Sequence, residues 1–241
     1  MTETELRLER KVEVASHYDR EVRIYERRRF SGIGGELFSN LEKEHATTWL
    51  KKCSVLQIGT ATGRFTEFLP SQGFEYCGIE ISRNMARHAA KRCAGSEAQV
   101  IMGDGENLPF KSSSFENVLS VRSFHFIPAP NSFLKDAFRV LVPGGRLVVS
   151  FEVLFRATSL FQRIGLLSNP LPQRTYYFAN RVVSLAERNG FNVVWVGKVT
   201  KMPLNFYWKL PWPVLKILRR FHKYFPSYFG TVGSVVAEKP L

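Results

Sequence analysis

The sequence predicts an α/β fold, a mostly parallel sheet with helices on both faces. Three observations carry that prediction. Short apolar runs alternate with helical periodicity through the middle of the chain. The first run, Val55-Leu56-Gln57-Ile58, ends in a small-residue turn, Gly59-Thr60-Ala61-Thr62-Gly63, which opens into the helical pattern that starts at Arg64. The second run ends in an acid, Glu80, 21 positions after Gly59. A strand, a tight turn and a helix N-terminus make a cradle, because small residues let a ligand approach the backbone and the first-turn N–H groups. An acid about that far downstream accepts hydrogen bonds from ribose hydroxyls at the carboxyl edge of such a sheet.

The elements follow in order. Residues 1–50 read as helices: a charged periodic segment over 3–29, a Gly-rich break at 31–35, and a second helix over 36–51. Strands are expected near 54–58, 75–79, 98–102, 116–121 and 146–151. Helices near 64–71, 82–93 and 131–140 connect most of them, with Ser82 placed to cap the second. The connection over 103–115 reads mainly as loop. Residues 180–189 are helical with Gly190 as the stop, and residues 191–196 and 231–237 read as a sixth and a seventh strand.

The ligand class follows from spacing. A dinucleotide fingerprint needs a third glycine three residues after the second. Counting Gly59 and Ala61 as the first two positions, Arg64 stands in the third, which argues against NAD or FAD. Small residues at 59, 61 and 63 instead resemble the first motif of the class I S-adenosylmethionine-dependent methyltransferases. Four more segments resemble that family in the expected order. Gly78-Ile79-Glu80-Ile81-Ser82 with Met85 resembles G-x-D-x-S-x-x-M, and Gly103-Asp104-Gly105-Glu106-Asn107-Leu108-Pro109-Phe110 resembles G-D-A-E-x-L-P-F. Ser114-Phe115-Glu116-Asn117-Val118 leads to His125-Phe126-Ile127-Pro128, and Arg139-Val140-Leu141-Val142-Pro143-Gly144-Gly145 resembles R-V-L-x-P-G-G. The closest likeness is to small-molecule enzymes, including those of ubiquinone and menaquinone biosynthesis.

The resemblance implies a Rossmann-like sheet of seven strands whose last strand is antiparallel, and S-adenosylmethionine as cofactor. It implies cofactor contacts at Gln57, Gly59, Thr60, Ala61, Gly63, Glu80, Ile81, Asp104 and Gly105, with Asp104 on the adenine amino group. It also implies one domain over 1–241: a helical cover over 1–50, a cofactor-binding core over 51–155 and a substrate-side region over 156–241. Four departures stand out. Gln57 replaces the usual acid, Ala61 the middle glycine, and Phe126 and Ala129 the second histidine and the aspartate of the family's H-H-x-x-D-P. Glutamine still accepts hydrogen bonds, so cofactor binding remains the expectation.

His125, just past the fourth strand, matches the first histidine of that pattern and is the expected catalytic residue, a base or an orienting group for the acceptor. Glu152, His17 and Tyr18 are further pocket candidates. No [DN]-P-P-[YFW] motif follows the fourth strand, no Pro-Cys nucleophile is present, and no metal-ligand cluster is evident. These features favour a metal-independent enzyme acting on a small hydrophobic acceptor. An RNA or protein methyltransferase, or a non-catalytic binding module, remains the alternative.

Composition bounds the rest. The chain has 241 residues and 44% apolar content, suited to one globular domain. Cys53 and Cys77 fall at or within expected strands, where buried reduced thiols are expected. The charged N-terminus lacks a signal peptide's apolar core, and a cytoplasmic location is expected. The net charge of +13 is unusual. Part of it lies in an aromatic, acid-free insertion over 202–228, where an amphipathic pattern from Pro213 carries Val214, Ile217, Leu218, Phe221 and Phe225 on one face and Lys216, Arg219, Arg220 and Lys223 on the other. That pattern suits a peripheral contact with an anionic membrane, and nucleic acid is the weaker partner reading.

Overall fold

The computed structural model describes residues 1–153, 175–200, 211–221 and 230–241. Three helices come first: α1 (Glu3–Glu21), α2 (Tyr25–Phe30) and α3 (Gly32–Trp49). An alternating core follows, with β1 (Ser54–Ile58), α4 (Arg64–Ser71), β2 (Glu75–Glu80), α5 (Arg83–Arg92), β3 (Gln99–Met102) and β4 (Phe115–Val121). After a 3-10 turn at Phe124–Phe126 come α6 (Pro130–Val140), β5 (Leu141–Glu152), α7 (Ala179–Arg188), β6 (Asn192–Lys198), α8 (Trp212–Phe221) and β7 (Val232–Glu238).

The seven strands form one sheet in the order β3-β2-β1-β4-β5-β7-β6. The first five pair in parallel, and β7 runs antiparallel between β5 and β6. The expected seven-stranded sheet with an antiparallel last strand is therefore present. Strand order reverses between β1 and β4, and that switch point opens a crevice at their carboxyl ends.

Alternation along the strands builds two cores. Leu56, Ile58, Val118, Leu147 and Val149 face α6 and α7, where Phe133, Leu134, Val182 and Ala186 are buried. Val55, Leu119, Val148 and Val236 face α3 and α4, against Ala46, Leu50, Phe65 and Leu69. Each large apolar side chain fully buried in this way contributes about 1.5–3 kcal/mol.

Some expectations change. The N-terminal helical segment breaks at residues 22–24, so α1 and α2 are separate. The Gly-rich stretch belongs to α3, which starts at Gly32 directly after Ser31. A Cβ on Gly35 would lie 2.3 Å from the Phe30 carbonyl carbon, so the glycine serves the close approach of α2 to α3. Strand β5 begins at Leu141, five residues before its expected start, with Gly144 in the left-handed region at φ +74°. Cys53 is exposed rather than buried, because it precedes β1, whereas Cys93 is buried and Cys77 partly so. The insertion forms α8 as expected, but 202–210 and 222–228 lie outside the described residues. Among the described residues no helix is long and apolar enough to cross a membrane.

One histidine makes stability depend on pH. His45 on α3 lies against Trp195, and its Nε2 is 2.9 Å from Ser234 Oγ. That hydroxyl donates to the Val149 carbonyl, so His45 Nε2 is the donor. Burial lowers the imidazole pKa from 6.5 to about 4. Below pH 6.5 the unfolded chain takes up a proton that the native state refuses, so stability falls as pH drops from 6.5 towards 4. The loss approaches roughly 3 kcal/mol. Urea unfolding at pH 7 and pH 4 should show that extra loss in the wild type and not in His45→Gln; equal losses contradict it.

Candidate active site

The crevice at the switch point is a cleft of about 760 Å³ including its open mouth. Its floor is the turn after β1. Gly59, Ala61 and Gly63 all adopt left-handed backbone, at φ +80°, +48° and +89°. Alternation of this kind explains the small residues. A Cβ on Gly59 would lie 2.5 Å from Ser123 Oγ, so the glycine also lets the loop after β4 pack on the turn. Ser123 secures that contact by donating to the Ile58 carbonyl at 2.8 Å.

Glu80 ties the turn to the neighbouring strand. Its Oε2 accepts from the Ala61 amide at 2.8 Å and its Oε1 from the Ser82 amide at 3.0 Å. Only 7% of the residue is exposed. Burial raises its pKa, and the amides of Ser82, Ala61 and Ile81 oppose the rise. A carboxylate has about four acceptor positions, so capacity for a ligand hydroxyl remains.

Helix α1 closes one side. Lys11 Nζ lies 2.7 Å from Asp104 Oδ2 and 2.6 Å from Glu106 Oε2. Burial works against the Lys11 charge, but the two carboxylates outweigh it and raise the pKa. Glu106 also accepts from the Ala129 amide at 2.7 Å. Further along α1, Asp19 accepts from Ser82 Oγ at 2.6 Å and from the Asn84 amide at 2.8 Å, which docks α1 on the start of α5.

The other side is aromatic. Tyr18 stands edge-on to Phe126 at 5.5 Å and to Tyr25 at 6.0 Å. Burial pushes the Tyr18 phenol pKa well up, so it stays protonated. Beside these rings lies Arg122, at φ +50°, with Nε 2.6 Å from Glu42 Oε1. The other Glu42 oxygen takes Arg64 Nη2 at 2.6 Å.

Six of the nine expected cofactor residues line this cleft: Gly59, Ala61, Glu80, Ile81, Asp104 and Gly105. Gln57, Thr60 and Gly63 lie behind it. Gln57 is buried and accepts from the Tyr76 hydroxyl at 2.7 Å. Gly63 supplies the left-handed residue that opens α4. His125 is 2% exposed and does not line the cleft; its neighbour Phe126 does. Of the further candidates, Tyr18 lines the cleft, and His17 and Glu152 do not. The sequence reading missed Lys11 and gave Arg122 no role. The only local signal for Phe126 was its departure from the H-H pattern.

Known proteins share both sequence and fold with this chain. Residues 56–149 match the family model described as Methyltransferase domain. Demethylmenaquinone methyltransferase of Tropheryma whipplei (strain Twist) is 38% identical over 95 residues, 39% of this chain and 40% of that protein. The 18S rRNA (guanine-N(7))-methyltransferase of Bos taurus is 32% identical over 111 residues, 41% of this chain and 39% of that one. The chain thus spans about two fifths of the length of these relatives.

Residues 56–149, about two fifths of the chain, are thus similar to a methyltransferase domain. A solved S-adenosylmethionine-dependent methyltransferase of Thermotoga maritima, described as a possible histamine N-methyltransferase, shares the fold. It has a TM-score of 0.67 and 23% identity, covering 92% of this chain and 98% of that one. An acid-lined, partly apolar cleft at the switch point suits a cationic nucleoside derivative.

Proposed function

We propose that the chain transfers a methyl group from S-adenosylmethionine to an O, C or N atom of a small, hydrophobic acceptor. The observation that carries this reading is the closure of the cleft by α1 and by the rings of Tyr18, Tyr25 and Phe126. A mouth walled in this way favours a small apolar molecule over a folded RNA or protein surface. Glu80 receives the ribose hydroxyls, Asp104 the adenine amino group, and the backbone of Gly59, Ala61, Ile81 and Gly105 the remainder. Gln57, Thr60 and Gly63 support the turn from behind.

The chemistry such a cofactor supplies is an activated methyl group for in-line displacement. The chain's task is to orient the acceptor and exclude water. The Tyr18 and Phe126 rings do the second, and the Lys11 ion pairs of α1 hold Tyr18 over the cleft. His125, outside the cleft, holds the loop: its carbonyl accepts from the Thr175 amide at 2.8 Å. It takes no proton from the acceptor in this reading.

An RNA acceptor is the second reading, supported by the likeness to the rRNA enzyme and by the charge of +13. Incubation with methyl-labelled S-adenosylmethionine and fractionated cell extract separates the two. Label is expected in the organic-soluble fraction. Label confined to RNA or protein contradicts the small-molecule reading, and no label in any fraction contradicts both.

The acceptor's hydrophobicity also suits a membrane-side enzyme. Val214 and Ile217 of α8 are 40% and 57% exposed, on the same short helix as Lys216 and Arg220. A helix packed on its domain by that face would bury both. Contact with an anionic bilayer places the two side chains in the interface, and each nearby cation adds about 1 kcal/mol. In co-sedimentation, anionic vesicles should retain the wild type and neutral ones should not, with several-fold loss for Val214→Ser/Ile217→Ser and in high salt. A wild type that stays in solution with both vesicle types overturns the membrane contact.

A further inference from the structure

Behind the cleft, one carboxylate faces two cations. Glu42 on α3 is 2% exposed, and it faces two guanidinium groups, those of Arg64 and Arg122. Arg64 makes two side-chain hydrogen bonds, to Ser39 and Glu42, and stacks 3.7 Å from the centre of the Phe30 ring. Arg122 makes one side-chain hydrogen bond, from its Nε to Glu42, and its Cζ lies 4.7 Å from the centre of the Phe38 ring and 5.7 Å from that of the Phe30 ring.

A guanidinium has five N–H donors in a rigid plane. Four of them sit on the two Nη atoms of Arg122, and among the described residues none makes a hydrogen bond. The side chain is 13% exposed, and Arg122 is a wall residue of the cleft beside Tyr18, Tyr25 and Phe126. The other charges nearby are Glu152 at the end of β5, which acts on Arg122 at longer range, and Arg29, which pairs with Glu21.

The backbone gives a second, independent observation. Arg122 adopts φ +50°, a left-handed conformation that costs a side chain with a Cβ roughly 1–2 kcal/mol. Its amide is anchored to Ser150, to the Oγ at 3.1 Å and to the carbonyl at 3.2 Å. Glycine or asparagine would fill this turn with less strain. A purely structural ion pair with Glu42 uses one donor and leaves the strain and the other four unexplained.

Resting on the methyltransferase reading above, we infer that Arg122 binds an anionic oxygen group of the acceptor, so that the substrate class is an apolar carboxylic acid. The Nη edge of the guanidinium matches a carboxylate in bidentate fashion, and aromatic walls beside it receive the apolar body. Glu42 fixes the fork in the plane that the carboxylate meets. Arg122 is thus a specificity-determining residue: it selects and orients the acceptor.

The test is calorimetry on the full chain saturated with S-adenosylhomocysteine, using octanoate, octanol and octyl phosphate as probes. Octanoate is expected to bind at least ten-fold more tightly than octanol. Arg122→Gln should erase that preference while leaving affinities for S-adenosylhomocysteine and octanol within about two-fold. Arg122→Lys, which keeps the charge and loses the fork, should recover part of it. Equal binding of octanoate and octanol by the wild type, or binding of neither, overturns the inference whatever the variants do. Tighter binding of octyl phosphate overturns the carboxylate assignment. A variant that retains the octanoate preference removes Arg122 from the site. Failure of the wild type to bind S-adenosylhomocysteine is a separate result, and it defeats the methyltransferase reading on which the inference stands.

Discussion

The site depends on one buried carboxyl group. Glu80 joins the turn after β1 to the end of β2 through the amides of Ala61 and Ser82. Without that acceptor, the Ala61 amide faces a crevice with no partner of its own. A left-handed alanine at φ +48° would then have little to hold it. Ser82 adds the next connection, because its hydroxyl caps α5 at Met85 and reaches Asp19 on α1. The turn, the start of α5 and the helical cover are therefore linked through Glu80 at the end of β2 and Ser82 at the N-cap of α5. A group that costs free energy to bury is retained where a ligand can use its remaining lone pairs.

The parts of this arrangement legible in the sequence are the local ones. The apolar run before Gly59, the small-residue turn and the distance to Glu80 all reflect geometry within one βαβ unit. Asp104 was legible for the same reason, because it stands at the next strand end. The parts that were missed join segments far apart in sequence. Lys11 meets Asp104 across 93 positions, and Arg122 meets Glu42 across 80. No local period encodes such pairs. Gly35 misled for a different reason: composition marks it as a break, whereas a close contact with Phe30 makes it part of a helix.

Three motif residues, Gln57, Thr60 and Gly63, lie behind the cleft rather than on its wall. They shape the turn from behind, where Gln57 meets Tyr76 and Gly63 sits 2.9 Å, by its absent Cβ, from Ala89. Replacing the usual acid by glutamine at 57 suits that buried position, since a neutral amide loses less on burial than a carboxylate. His125 illustrates the same point. Its place after β4 made it a candidate, but the 3-10 turn at Phe124–Phe126 rotates Phe126 into the cleft instead.

Calorimetric titration of S-adenosylmethionine into the wild type and Glu80→Ala, with the fold of each checked by circular dichroism, tests the central claim most directly. The account predicts binding by the wild type and a loss of about 1.5–3 kcal/mol, roughly 10- to 150-fold, in a folded variant. No binding by the wild type, or equal affinity in the two proteins, would contradict it.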